Sequence, residues 1–146
     1  MIIRIMTIDD YEQAYTLWFN TPNMGLNNLD DSKEGIEKYL TRNPNTCFVA
    51  ESDGNIIGVI LSGHDGRKGY IYHAAVTENM QRRGIGSALV KAAISALESE
   101  GINRIALVVF GKNENGSAFW EKHGFIARND LIYRDKTIAE LIIINT

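Results

Sequence analysis

The sequence predicts a mixed α/β (α+β) domain, and three observations point to it. Apolar residues recur with a period near two in some stretches and near 3.6 in others. The two patterns alternate along the chain instead of segregating into separate halves. A long helical stretch, residues 84–100, also lies between two apolar strands, as a crossover between parallel neighbours requires. With 146 residues there is room for one domain, residues 1–146, of two or three layers and not for a second globular unit.

Element by element, Ile2, Ile3, Ile5 and Met6 form a first strand. Asp9 and Glu12 make a capping-box pair ahead of a helix carrying Tyr11, Ala14, Tyr15 and Trp18. After a loop from Pro22 to Asp30, Asp31 and Glu34 cap a second helix with Ile36, Tyr39 and Leu40 on one face, closed by Pro44. Thr46–Ser52 and Asn55–Ser62 are strands joined by Asp53-Gly54, a pair that tolerates positive φ at both turn positions. Tyr70–Val76 is the fourth strand. Gly84–Glu100 is a helix burying Ile85, Leu89, Ala92, Ala93, Ala96 and Leu97, with Gly101 as its stop. Ile105–Phe110 is the fifth strand, Asn115–His123 a fourth helix ending at Gly124, and Leu131–Tyr133 and Ile138–Ile144 are the last strands. The Ile142–Ile144 run leaves two alternatives open: an edge strand that pairs two copies into a homodimer, or a strand packed inside the monomer.

Composition narrows the function classes. A charged fraction of 23% and a hydrophobic fraction of 45% are those of a soluble domain, and a formal charge of −3 argues against a general nucleic-acid surface. A small molecule or a peptide end is the expected partner. Arg67, Lys68, Arg82 and Arg83 are the basis of a nucleic-acid alternative, which the acidic balance disfavours. No apolar run approaches about 18 residues, so no membrane span is expected. Cys47 is the only cysteine and reads as an inert core residue. With no signal-peptide pattern, the expected compartment is the cytoplasm.

The stretch Val76 to Leu89 is the most informative in the chain. It joins a strand to a helix through a turn bearing Gln81, Arg82, Arg83, Gly84, Ile85, Gly86 and Ser87. A helix N-terminus presents unpaired N–H groups and partial positive charge, so such a turn can grip a pyrophosphate with main chain alone. Gly84 and Gly86 would let the phosphates come close, since a Cβ there would stand between amides and ligand. A Walker loop is excluded because Gly86 is followed by Ser87 and Ala88 with no lysine before Lys91, and a dinucleotide fingerprint would need Gly or Ala where Leu89 stands.

Gln81-x-x-Gly84-x-Gly86 after a strand ending Ala74-Ala75-Val76 resembles the acetyl-coenzyme A motif of the GNAT acetyltransferase superfamily. Asn113-Glu114-Asn115-Gly116-Ser117-Ala118-Phe119-Trp120-Glu121-Lys122-His123-Gly124-Phe125 is similar to that family's closing block. Ser62 to Gly69 is similar to the loop of a bacterial subgroup called YpeA-like. The resemblance implies a mostly antiparallel, twisted sheet of six to seven strands with about four helices. In it the fourth and fifth strands are parallel and splay apart at a bulge in the fourth. It implies an acetyl-coenzyme A-dependent N-acetyltransferase acting on a primary amine of a small molecule or a peptide N-terminus. The alternative is a catalytically weak acyl-coenzyme A sensor or protein-interaction module. Ala75 and Val76 would pair with the pantetheine arm, Gln81 through Ser87 would hold the phosphates, and Asn113 and Trp120 would line the opposite wall. Asn113 is equally a helix cap.

Direct transfer makes three demands. A free alkylamine, with a pKa of about 10, must lose a proton before it attacks. A tetrahedral oxyanion needs a donor, for which the Val76 N–H is the simplest candidate. The thiolate leaves with a pKa of about 8.5 and needs least help. The family's usual acid, a tyrosine, is replaced here by Trp120, whose indole cannot act that way. Tyr133 is the candidate substitute, against a role as a core tyrosine. His73 is the candidate base, since imidazole ordinarily titrates at about 6.5. Strand alternation opposes it, pairing His73 with Ile71 and Ala75 and setting Tyr72, Ala74 and Val76 on the other face. His64 reads as solvent-facing and His123 as a helix C-cap. Acceptor recognition is expected from Tyr15, Trp18, Asn23, Met24 and Asn28, with Tyr15 and Trp18 equally readable as core. Asp30 and Asp31 read as helix caps before they read as sites for a cation. No His or Cys cluster has metal-ligand spacing, so no metal is expected.

Overall fold

The structure, a computed structural model, describes residues 1–145. In chain order the elements are β1 (Ile2–Ile5), α1 (Tyr11–Phe19), β2 (Leu26–Asn27), α2 (Lys33–Arg42), β3 (Phe48–Ser52), β4 (Asn55–His64), β5 (Gly69–Val76), α3 (Ile85–Ser99), β6 (Ile105–Ala106), α4 (Glu114–Lys122) and β7 (Ile143–Asn145). The fourth and fifth strands of the sequence reading are thus β5 and β6, because a two-residue strand intervenes. The seven strands divide into a five-stranded sheet of order β1-β3-β4-β5-β6 and a separate pair, β2-β7. All neighbours in the larger sheet are antiparallel except β5 and β6, which are parallel.

Helices cover both faces of this sheet. Ala14, Leu17 and Trp18 of α1 and Ile36 and Leu40 of α2 pack on Val49, Val59, Leu61 and Ala75. On the other face Ile85, Leu89, Val90 and Ala93 of α3 pack on Ala50, Ile57, Ile60 and Ile71, with Phe119 and Trp120 of α4 at the margin. The central strand β4, buried from Ile56 to Gly63, reads as a continuous apolar run because it is covered on both sides. Asp53 and Gly54 close the β3–β4 hairpin with φ of 52° and 76°, as the dipeptide predicts. Cys47 is buried, which pushes its thiol up to about 12.

Three local expectations are corrected. The first capping interaction is Asp10 accepting from Thr7 N at 2.9 Å, upstream of the Asp9–Glu12 pair. Ser32, not Asp31, caps α2 by accepting from Gly35 N at 3.0 Å. The tail does not form the strand Leu131–Tyr133, and of Ile138–Ile144 only the end joins β7. Its apolar alternation is that of a strand, but no ladder partner runs alongside it, and Leu131, Ile132 and Ile138 are exposed. Asn28 and Ile142 exchange backbone and side-chain hydrogen bonds that tie the end of the tail to the α1–α2 loop. Among the described residues no helix is long and apolar enough to cross a membrane.

The N-terminal strand is locked to α1 by an ion pair. Arg4 donates to both carboxylate oxygens of Asp10, at 2.9 and 2.8 Å, and to Glu51 at 2.7 Å. Burial alone would raise the Asp10 pKa, yet the bonds from Arg4 and Thr7 outweigh it and hold the carboxyl below its ordinary value. A lowered folded-state pKa gives stability that is fully present above the unfolded value of about 4 and is lost as pH falls through the folded one. Asp10→Asn is therefore expected to cost about 1–3 kcal/mol at neutral pH. In urea titrations the gap from wild type should narrow below about pH 4. A gap that stays constant into acid would contradict this account.

Candidate active site

The site is built on an irregularity in β5. In the β4–β5 ladder Val59 faces Ala75 and Leu61 faces Tyr72, so His73 and Ala74 together oppose the single residue Ile60. That is a β-bulge, and His73 takes the left-handed φ of 45° at it. The extra residue resets the alternation. Ile71, Ala74 and Val76 pack toward α3, whereas Tyr72, His73 and Ala75 share the α1–α2 face. The parity that counted against His73 in the sequence is corrected by this one residue.

β5 also parts from β6 at this point. The parallel ladder holds only Gly69 with Ile105 and Tyr70 with Ala106, and residues 107–110 leave the sheet before the predicted strand is complete. Thr77 N donates to Ile57 O at 2.8 Å, and ladder alternation then turns the N–H and C=O of Val76 toward the opened gap. Gln81 Nε2 donates to Val76 O at 3.0 Å, so this side chain folds back on the strand end.

Below the gap lies the N-terminus of α3. Gly84 caps it with φ of 81°, and the space that a Cβ on Gly84 would occupy is open. Gly86 differs from its sequence reading: a Cβ there would meet the Phe119 ring at 3.3 Å, so this glycine admits α4 to α3. Arg82 and Arg83 are exposed, and Ile85 is buried, leaving only its main chain to the turn. Ser87 Oγ and His123 Nε2 are 3.1 Å apart, and His123 is the C-cap of α4. Asn113 caps α4, accepting from Gly116 N at 2.9 Å, and Trp120 packs edge-on between Phe119 and Phe125.

His73 is held from three directions. Trp18 Nε1 donates to His73 O at 3.0 Å, and the two rings are 5.1 Å apart. His73 Nε2 lies 2.6 Å from Asp31 Oδ1, with side chains only 11% and 5% exposed. Asp31 Oδ2 accepts from Asn27 N at 2.8 Å, and Asp31 O accepts from the Tyr11 hydroxyl at 2.7 Å. A carboxylate can only accept, so Nε2 carries the proton and Nδ1 is the nitrogen left to take another. Asp31, which the sequence offers as a helix cap or a site for a cation, is instead the partner of His73.

The remaining acceptor residues scatter. Trp18 is fully buried and supports the bulge instead of facing a ligand. Tyr15 stacks between Tyr11 and Phe19, Met24 packs on the core, Asn23 turns the loop with φ of 64°, and Asn28 is engaged by Ile142. Tyr133 is 67% exposed on irregular chain, near Tyr70 and Tyr72. His64 is not free in solvent: Gly66 N donates to Nδ1 at 2.9 Å, and Nε2 meets Glu100 at 2.8 Å.

A mixed sheet opened by a bulged strand above a glycine-capped helix is the architecture that the resemblance in the sequence implies. Residues 7–125 match the model of the Acetyltransferase (GNAT) family. The chain is 31% identical over 140 residues to Acetyltransferase SG1711 of Sodalis glossinidius, covering 96% of this chain and 97% of that one. It is 35% identical over 114 residues to Acetyltransferase plu1384 of Photorhabdus laumondii, covering 78% of each. In structure it is similar to Ard1 from Thermoplasma volcanium, with a TM-score of 0.76 at 24% identity over 86% of this chain and 82% of that one. It is also similar to the PaiA N-acetyltransferase of Thermoplasma acidophilum, solved with coenzyme A, with a TM-score of 0.75 at 20% identity over 97% and 96%. The chain belongs to the GNAT acetyltransferase family and is an acyltransferase.

The Trp18 contact is the testable part of this architecture. Trp18→Phe keeps the ring bulk but removes the donor to a buried carbonyl, and about 1–3 kcal/mol of stability should go with it. Chemical denaturation reads the loss. A variant as stable as wild type would show that the bulge does not lean on the indole.

Proposed function

We propose that the chain is an N-acetyltransferase that uses acetyl-coenzyme A as donor and a primary amine of a small molecule or a peptide N-terminus as acceptor, with His73 as general base. The observation that carries this reading is the gap between β5 and β6, bordered by the turned-out Val76 main chain and ending on the α3 N-terminus. The residues fit the donor. The space beside Gly84 is open where a phosphate would approach, the first N–H groups of α3 lack helical partners, and Arg82 and Arg83 add charge beside them. Ala75, Val76, Gln81 to Ser87, Asn113 and Trp120 are the residues assigned to holding it.

When bound, acetyl-coenzyme A supplies a thioester carbonyl open to attack by a neutral amine. Val76 N–H is placed to donate to oxygen on the gap side. His73 takes the proton of the incoming amine at Nδ1, and Asp31 holds the ring and stabilises the charge that forms. Support for amine chemistry comes from the fold's neighbours. An aminoglycoside acetyltransferase solved with sisomicin has a TM-score of 0.72 at 22% identity, covering 94% of this chain and 96% of its own.

Two substitutions separate binding from chemistry. Ser87→Asp puts a negative charge in the first turn of α3, where the helix dipole favours it, so the free protein should be as stable as wild type or slightly more so. Affinity for acetyl-coenzyme A should fall at least about tenfold by calorimetry. Unchanged affinity in the folded variant removes the phosphate cradle. His73→Gln should lower amine-dependent thiol release about 10²–10⁴-fold with donor affinity intact. Activity within about threefold of wild type assigns the proton transfer to another group.

A further inference from the structure

On the same sheet face as His73 is a recess, lined by Tyr39, Arg42, Asn43, His64, Lys68, Tyr70 and Tyr72, that the acyl-transfer reading has not used. Its aromatic wall is continuous with the base. Tyr39 meets Tyr72 edge-on at 5.8 Å, Tyr70 lies 4.6 Å from Tyr72, and Tyr72 lies 6.3 Å from the His73 ring. Its charge is net positive, since Arg42 and Lys68 stand against the single carboxylate of Asp65, which also lines the recess. The Asp65 carboxylate is consumed within its own turn, accepting from Arg67 N and Lys68 N, and His64 is paired with Glu100. Among the described residues Arg42 and Lys68 have no salt-bridge partner. The Tyr39 hydroxyl, also at this wall, is buried with no hydrogen-bond partner, an arrangement that needs an explanation in any folded protein.

We infer that this recess holds an anionic group of the acceptor, a carboxylate or a phosphate, while Tyr72 leads the amine of the same molecule to His73. The inference rests on the acyltransferase reading above and narrows its acceptor to amines that carry an anion. Two unpaired cations beside an aromatic wall can form charge-assisted hydrogen bonds to such a group. One acidic residue, Asp30, lies on the Tyr72 side of the wall. Burial is the main cause of the raised Tyr72 and Tyr70 pKa values, with Asp30 a smaller one at Tyr72 and Asp135 at Tyr70, beside the recess.

The test compares ω-amino acids, ω-aminoalkyl phosphates and alkylamines of matched chain length, in binding and in turnover. Binding to the protein with coenzyme A present is followed by NMR shifts of Tyr72 and Arg42. The carboxylate and phosphate series separate the two sources of the anion. One anionic series should bind at least about tenfold more tightly than the alkylamines, and Arg42→Gln with Lys68→Gln should erase that difference while alkylamine transfer and donor affinity stay unchanged. Equal binding of charged and uncharged series, or a preference that survives both substitutions, overturns the inference. Selective binding lost in the double variant upholds it even without thiol release, and in that case only the acyltransferase reading fails.

Discussion

One inserted residue in β5 sets the rest of the site. A bulge strengthens the local twist and bends its strand, and here β5 separates from β6 within three residues of Tyr70. The same insertion carries His73 from the α3 face to the α1–α2 face, so the opened gap and the new position of His73 have a common origin. The φ of 45° at a non-glycine residue costs on the order of 1–2 kcal/mol. That strain persists because Trp18 binds the carbonyl of His73 and Asp31 binds its ring. Remove those partners and a regular strand would be the lower-energy path.

The α1–α2 loop owes its shape to the same partnership. Asp31 is buried, and a buried carboxylate must have its oxygens satisfied. Its oxygens accept from Asn27 N and meet His73, its own carbonyl takes the Tyr11 hydroxyl, and Asn27 Oδ1 accepts from both Leu29 N and Asp30 N. Segments 42 residues apart are thereby fixed to each other through one side chain. The tail joins this loop at Asn28, where Ile142 both donates and accepts. Loop, bulge and tail form one connected polar unit on the α1–α2 face.

What could be read from the chain divides along the range of the interaction. Asp53-Gly54, the α3 register and the turn from Gln81 to Gly86 are local signals, set by φ preferences and periodicity, and the structure forms each of them. The bulge is invisible to such reasoning, since nothing in Tyr70–Val76 distinguishes a strand with one extra residue from a regular one. Parity arguments fail wherever an insertion is undetected. The pairing of Asp31 with His73 is not legible in the sequence, because the two lie 42 residues apart and a position ahead of α2 already suits a cap. Gly86 was assigned to the ligand because a Gly-x-Gly turn suggests phosphate contact, whereas the nearer demand is the ring of Phe119. The late strands fail for another reason: apolar alternation specifies an extended chain, but a strand also needs a neighbour.

The position of Trp120 decides where catalytic help is concentrated. Wedged against Phe119 and Phe125, it contributes packing and an indole that cannot protonate a leaving group. A thiol with a pKa of about 8.5 is only about 1.5 units from neutrality, whereas an alkylamine near 10 is about one part in a thousand neutral at pH 7, a deficit of about 4 kcal/mol. The larger deficit lies with the amine. On the proposed reading, the strained backbone that holds His73 against the buried Asp31 carboxylate serves that side of the reaction. The energetic argument and the geometry at His73 thus agree without drawing on each other.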